Sequence, residues 1–391
     1  MIPRPAARMA GIERTLIRRI FESAPPGAIN LGLGQPDLPT LDACALAGVA
    51  AIVDGHTSYT ATAGDAELRA RVAHAYAPFA AGPASVLVTV GSQEALFVAC
   101  LALLDPGDEL LYPDPGYPAY PIVARLVGAR ATPYPLRAER DFRLEPEDVL
   151  DRLGPGTRAV LLCAPHNPTG ALIEPADLRR LIAELERREV AWISDEIYAA
   201  FVYERPFVSA AACSTARGGL VISGVSKDSS MTGWRVGFVV AAEDLVERLV
   251  SAHQYVATCA PSISQRAACA AFTPQAGRER RRYLARFGER RALMARELGR
   301  VRGLHVVPPD GAFYYFLDVR SRGDSSELAR RALVEQAVIT IPGQAFGERG
   351  AGWLRVSFAC DERDLVEGLR RLARTLEASP RRARRTPGPE S

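Results

Sequence analysis

The chain has 391 residues, 48% of them hydrophobic, which is enough to bury a sizeable core and to build one large unit with a smaller companion. A net charge of +3 with 24% charged residues argues against a polyanion such as nucleic acid as partner. Seven scattered cysteines without a CxxC pair suit free thiols in a reducing cytoplasm, and five histidines without metal-ligand spacing leave no metal site to expect.

Met1 to Met9 is basic but leads into Gly11-Ile12-Glu13-Arg14 with no long apolar core, so no signal peptide is expected. The longest apolar run, Ala95 to Leu104, is too short to span a bilayer and stops at Asp105-Pro106-Gly107. The expectation is a soluble cytoplasmic protein. Ile12 to Phe21 reads as a short amphipathic helix ended by Pro25-Pro26-Gly27. A brief strand from Ala28 to Leu33 then precedes the loop Gly34-Gln35-Pro36-Asp37. Tyr59 comes before a helix predicted over Glu67 to Ala77.

Ser85 to Val90 is a β-branched run that predicts a buried strand. It breaks at Gly91-Ser92-Gln93-Glu94 and gives way to a helix over Ala95 to Leu104. Free N–H groups and the helix dipole at such a start attract phosphate, and Ser92 can cap the same helix. A strand over Asp108 to Tyr112 is followed by Pro113-Asp114-Pro115-Gly116-Tyr117. A helix over Ala119 to Val127, a strand near Ala131 to Tyr134 and a helix near Pro146 to Leu153 continue the alternation. The strand Arg158 to Ala164 ends in His166-Asn167-Pro168-Thr169-Gly170, where His166 reads as structural. Pro175 opens an amphipathic helix to about Arg188.

Val190 to Ser194 then leads to Asp195, and a carboxylate at the end of an apolar strand is costly to bury without a partner. Leu220 to Ser223 is the strand that feeds Lys227, and Trp234 to Ala241 is the strand after it. Alternation from about residue 45 to 275 predicts an α/β fold with a mostly parallel sheet, whose ligands bind beyond the carboxyl ends of its strands.

Gly277 to Val301 reads as a long amphipathic helix, with Tyr283, Phe287, Met294, Leu298 and Val301 along one side and arginines along the other. Strands follow at His305 to Val307, Ala312 to Val319, Val338 to Ile341 and Trp353 to Phe358, with helices over Ser325 to Glu335 and Glu362 to Ala378. The expected organisation is an N-terminal segment (1–40) serving the small unit and the site entrance, a large unit (41–276) and a small unit (277–379). The Pro/Arg-rich stretch 380–391 lacks an apolar period and reads as a disordered tail.

Of the 48 basic residues, one is lysine. Arginine stays protonated, whereas lysine can lose its proton and attack a carbonyl to form a Schiff base. Lys227 sits in Ser223-Gly224-Val225-Ser226-Lys227-Asp228-Ser229-Ser230-Met231-Thr232-Gly233-Trp234-Arg235, an unusual setting for a surface lysine. It is the candidate covalent catalytic residue.

That stretch resembles the pyridoxal-phosphate lysine motif of the class I/II aminotransferases of fold type I. Gly34-Gln35-Pro36-Asp37, Asn167-Pro168-Thr169-Gly170, Asp195-Glu196-Ile197-Tyr198 and Arg355-Val356-Ser357-Phe358 match in order, so the resemblance covers nearly the whole chain. It implies a homodimeric enzyme that moves an amino group between an amino acid and a 2-oxo acid. It also implies roles. Lys227 would hold the cofactor and act as general base, Asp195 would pair with the pyridine N–H⁺, and Tyr198 and Asn167 would bond the phenolic oxygen. Tyr117 would stack on the ring. Arg235, Ser92, Gln93 and Ser226 would bind the phosphate, joined by Tyr59 from the other subunit. Arg355, Asn167 and the Gly34 backbone would meet the substrate carboxylate.

The resemblance further implies cis peptides at Asp114–Pro115 and Asn167–Pro168. Gly224 departs from the pattern, since many relatives carry a phosphate-binding serine there. A lyase or synthase of the same fold is the alternative reading. A transcription regulator built on this fold is disfavoured, because the segment ahead of the Gly34 loop is too short for a helix-turn-helix domain. An acidic substrate side chain would need an arginine or neutral donors, and the sequence does not choose among so many arginines.

Overall fold

Apolar runs bounded by glycine and proline form the strands, and segments with one apolar stripe form the helices between them. The computed structural model describes residue 4 and residues 6–214 and 217–378. The tail expected over 380–391 lies outside the described residues. In chain order the elements begin with α1 (Leu16–Glu22), β1 (Ile29–Asn30), α2 (Asp42–Val53), α3 (Ala66–Ala75), β2 (Val86–Thr89), α4 (Gly91–Leu103), β3 (Glu109–Asp114) and α5 (Ala119–Leu126). Next come β4 (Arg130–Pro135), α6 (Pro146–Leu150), β5 (Thr157–Cys163), α7 (Pro175–Arg187), β6 (Ala191–Asp195), β7 (Gly219–Gly224) and β8 (Gly237–Ala241). The last are α8 (Glu243–Val256), α9 (Ser262–Ala270), α10 (Pro274–Gly299), β9 (Tyr314–Asp318), α11 (Ser325–Gln336), β10 (Val338–Ile339), β11 (Ile341–Pro342), β12 (Trp353–Ser357) and α12 (Glu362–Glu377).

The main sheet has seven strands in the order β2-β8-β7-β6-β5-β3-β4. It is parallel except for β8, which runs against both β2 and β7. This is the mostly parallel α/β sheet read from the alternation of elements. Its central strands are apolar on both faces, as strands covered by helices on each side must be. Register places Cys163 opposite Asp195 and Asp195 opposite Ile222, so β5 and β6 end level at one edge and β7 runs two residues further, to Gly224. The Asn167 loop and the turn to Lys227 leave from that edge, whereas the Gly34 loop follows β1 and Arg355 lies on β12 of the other sheets.

A second sheet, β11-β12-β9, is antiparallel, and β1 pairs with β10 in parallel. The strand of the N-terminal segment thus pairs with a strand of the C-terminal half. Two expected strands differ. Val338 to Ile341 is not one strand, because Val338–Ile339 bonds β1 while Ile341–Pro342 bonds β12. His305 to Val307 forms no strand. Pro308 and Pro309 follow it without N–H donors, and β9 pairs only with β12.

The long helix α10 starts at Pro274 with Thr273 capping the N–H of Ala276. It buries Phe287, Met294 and Leu298 as its apolar stripe required. Arg290 is buried on the same helix. Its guanidinium grips Asp37 at 2.6 and 2.9 Å and Glu362 at 3.0 Å, fixing the loop that carries Gly34.

Candidate active site

A cavity of about 270 Å3 lies beyond the carboxyl ends of β5, β6 and β7. Its lining brings together Gly34, Ser92, Gln93, Tyr117, Asn167, Asp195, Tyr198, Ser226, Lys227, Arg235 and Arg355, residues spread over more than three hundred positions of sequence. Tyr59 does not line it. That side chain is 87% exposed on the surface of its own chain. His166 does not line it either; it is buried, bonds Thr169 Oγ1 at 2.8 Å, and burial pushes its imidazole down to about 3.

Lys227 follows β7 on a short turn, and its Nζ donates to the carbonyl of Gly34 at 2.7 Å. Burial, with Arg355 and Arg235 nearby, lowers its ammonium to about 8, against the opposing pull of Asp195. A neutral amine is therefore accessible near physiological pH. Gly34 has no room for a side chain, since a Cβ would sit 2.1 Å from the Tyr314 hydroxyl. Asp195 ends β6 and faces the cavity, where Tyr120 donates to its Oδ2 at 2.9 Å and the Ile197 N–H to its Oδ1 at 3.2 Å. Burial raises its carboxyl, and these two donors and Lys227 oppose the rise. The strand's alternation sends the next residue the other way. Glu196 accepts from Ser194, Ser209 and the Ala210 N–H on the opposite face, and burial pushes it up to about 7.

The cradle opposite is built by α4. Gly91 takes φ +78°, and a Cβ there would meet Arg235 Nη2 at 2.3 Å, so only glycine lets the guanidinium lie against the helix start. Arg235 donates to the carbonyls of Thr232 and Val90 at 2.9 and 3.3 Å. Ser92 and Gln93 open the same helix, and Gln93 accepts from the Tyr117 hydroxyl at 3.1 Å. The departure at Gly224 has a steric cause. A Cβ there would come within 2.8 Å of the Val236 carbonyl, just before β8, and it is Ser226, not residue 224, that lines the cavity. Ser223 turns away and donates to the Glu196 carbonyl at 3.3 Å.

At the other end, β12 delivers Arg355, which is 2% exposed. Its Nη1 donates to Asn167 Oδ1 at 2.8 Å and its Nη2 to the Gly32 carbonyl at 2.6 Å, while Nε is buried without a partner. The guanidinium lies 4.3 Å from the Tyr314 ring centre and 4.7 Å from that of Phe346. Both Asp114–Pro115 and Asn167–Pro168 are cis, as are Ala77–Pro78 and Ala164–Pro165.

Sequence reasoning missed several contributors, Tyr120, Tyr314, Ile17 and Leu33 among them. Tyr120 lies in the first turn of α5, three residues after Tyr117, and the two rings meet edge to face at 5.6 Å. Tyr314 bonds Tyr198 hydroxyl to hydroxyl at 2.7 Å, and its apolar strand gave no signal of that. Ile17 of α1 and Leu33 also line the cavity.

The donor set suits a small aromatic phosphate. A helix start with an arginine against it receives a dianion, a buried carboxylate receives a ring N–H⁺, and an amine with a lowered pKa receives an aldehyde. Pyridoxal phosphate carries all three.

Comparison with known proteins agrees. The family model described as aminotransferase class I and II matches residues 26–372. The chain is 34% identical to an aspartate aminotransferase of Pyrococcus horikoshii over 95% of this chain and 97% of that one. It is 38% identical to a probable N-acetyl-LL-diaminopimelate aminotransferase of Bacillus subtilis over 88% of each. A crystal structure of an aminotransferase from Mycobacterium tuberculosis superposes with a TM-score of 0.91 at 31% identity, covering 97% of this chain and 100% of that one. The chain belongs to the class I and II aminotransferases of fold type I, and it is a pyridoxal-phosphate-dependent transaminase.

Proposed function

We propose that this cavity exchanges an amino group between an amino acid and a 2-oxo acid with the residues in the following roles. Arg355 and Asn167 hold the α-carboxylate, with the Gly34 backbone beside it. Lys227, released as a free amine, takes the proton from the substrate α-carbon and later returns it from Nζ. Asp195, held by Tyr120, keeps a pyridine nitrogen protonated. Pyridoxal phosphate supplies the electron sink that makes the α-proton labile. Tyr198 and Asn167 donate to its phenolic oxygen, Tyr117 covers its ring, and Arg235, Ser92, Gln93 and Ser226 hold its phosphate. The observation that carries this reading is the convergence of Lys227, Asp195, Arg235 and Arg355 on one cavity.

The reading extends to a homodimer. Leu46, Val49, Ile52 and Val53 of α2, with Tyr59, Tyr255 and Val256, are exposed large apolar side chains, the composition of a surface that a second copy covers. Tyr59 would then serve the partner's phosphate. Residues 1–40, 41–276 and 277–379 form the entrance segment, large unit and small unit. The cysteines are free and no described helix is long and apolar enough to cross a membrane, which supports a reducing, aqueous compartment.

Borohydride treatment of the cofactor-loaded protein followed by peptide mapping tests the assignment. The cofactor should be fixed to the Lys227 peptide, and Lys227→Arg should fold but carry no label. A label elsewhere, or an active arginine variant, defeats it.

A further inference from the structure

Tyr198 and Tyr314 meet hydroxyl to hydroxyl at 2.7 Å, and each hydroxyl has one proton to give. The pair ties the turn after β6 to the start of β9, and both residues line the cavity. Both belong to one chain and are buried in it, at 5% and 0% exposed, so the contact is complete without a second copy. Among the described residues, Tyr198 is the one hydrogen-bond partner of the Tyr314 hydroxyl. Gly34 closes over that hydroxyl, since a Cβ there would lie 2.1 Å from it.

Two features set the direction of the bond. Under the proposed roles Tyr198 gives its proton to the cofactor's phenolic oxygen, which leaves it lone pairs for Tyr314 and no second proton. Tyr314 is also the better placed donor. It is a diagonal neighbour of Arg355 across β9 and β12, and the guanidinium lies 4.3 Å from its ring centre. Burial raises both phenols above their ordinary value, and at Tyr314 the Arg355 guanidinium is the first influence to oppose that rise. Lys227, Asp195, Tyr117 and Cys163 also face the pair, and removing one hydroxyl leaves them in place.

We propose that Tyr314 is a positioning residue for the reaction: its hydroxyl donates to Tyr198, which directs the Tyr198 proton at the phenolic oxygen and makes Tyr198 the stronger donor there. The inference rests on the reading that Tyr198 meets that oxygen, and names what orients it. A hydroxyl that accepts one hydrogen bond is polarised to give a stronger one. A better stabilised phenolic oxygen holds the neighbouring proton of the linkage to Lys227 less tightly, so that proton leaves at lower pH.

Absorbance of the cofactor-loaded protein, followed against pH with no substrate present, reads that proton without turnover. Tyr198→Phe should raise the midpoint by about 1–2 pH units, the loss of one hydrogen bond to a charged oxygen. Tyr314→Phe keeps the ring beside Arg355 and should raise it by about 0.2–0.5 pH unit, the loss of the polarisation alone. In the Tyr198→Phe background, Tyr314→Phe should add nothing, because the two hydroxyls act in series. A midpoint that falls or stays in place in Tyr314→Phe overturns the proposal, a fall meaning that Tyr198 gives its proton to Tyr314. An equal rise with and without the Tyr198 hydroxyl also overturns it, because Tyr314 would then act through Arg355 instead. The underlying reading fails differently: Tyr198→Phe would itself leave the midpoint unmoved.

Discussion

Because Lys227 is the chain's single lysine, its amine can be titrated almost alone, the N-terminal amine being the other target. Burial, Arg355 and Arg235 bring it to about 8 in the cofactor-free protein. An ordinary lysine near 10.4 is roughly 0.04% neutral at pH 7, whereas one near 8 is about 10% neutral, a gain of roughly two-hundredfold in nucleophile. The displacement is worth about 3 kcal/mol against the protonated amine. Between pH 8 and about 10.4 the unfolded chain holds the extra proton, so stability should rise with pH across that window. Below it, Lys227→Met should stabilise the cofactor-free protein by up to about 3 kcal/mol, an advantage that fades towards pH 10.4.

Competitive acetylation with acetic anhydride, read by mass spectrometry of the Lys227 peptide, gives the titration directly. The midpoint should fall near 8. Asp195→Asn removes the anion that favours the ammonium and should move it lower, whereas Arg355→Met removes a cation and should move it higher. A midpoint near 10, or the two variants moving it the opposite way, refutes the reasoning.

Arg355→Lys replaces a two-pronged donor with a point charge, and should weaken amino and oxo acids alike by about ten- to hundredfold in kcat/KM, measured in both half-reactions. Gly91→Ala must place a side chain at φ +78° and 2.3 Å from Arg235, so cofactor affinity should fall about tenfold or more in an absorbance titration, with about 1–2 kcal/mol lost in cofactor-free stability. If Tyr59 serves the partner's site, mixing Tyr59→Phe and Lys227→Ala subunits should restore one normal site per heterodimer, measured by activity against subunit ratio.

Much of the fold was legible because its strands are continuous apolar runs ended by Gly or Pro, and the motif loops mark where those runs stop. Asp195 and Lys227 could be placed at strand ends from that pattern alone, and β6 and β7 put them there. α2 carried no clear stripe, since its apolar residues go around the helix and Leu46, Val49, Ile52 and Val53 remain exposed. The split between β10 and β11 was invisible because which sheet a two-residue strand joins is decided by its partner and not by its own sequence. Tyr314 looked like core for the same reason. Its role follows from Tyr198 and Arg355 arriving beside it from 116 positions earlier in one case and from the neighbouring strand in the other. Arg235 and Arg355 were legible from the motifs that carry the resemblance, whereas only packing shows Arg18 and Arg19 of α1 turned outward onto Glu22 and Glu13.

The central claim is that the amino group stays with the protein when the substrate leaves. Cofactor-loaded protein should be mixed with a panel of amino acids and no 2-oxo acid, and both 2-oxo acid and ammonia measured. An accepted donor should yield one equivalent of 2-oxo acid per site, no ammonia, and then nothing more until a 2-oxo acid is added. Continuous release of ammonia or of a β-substituent, without that single-equivalent stop, would contradict the account and favour a lyase.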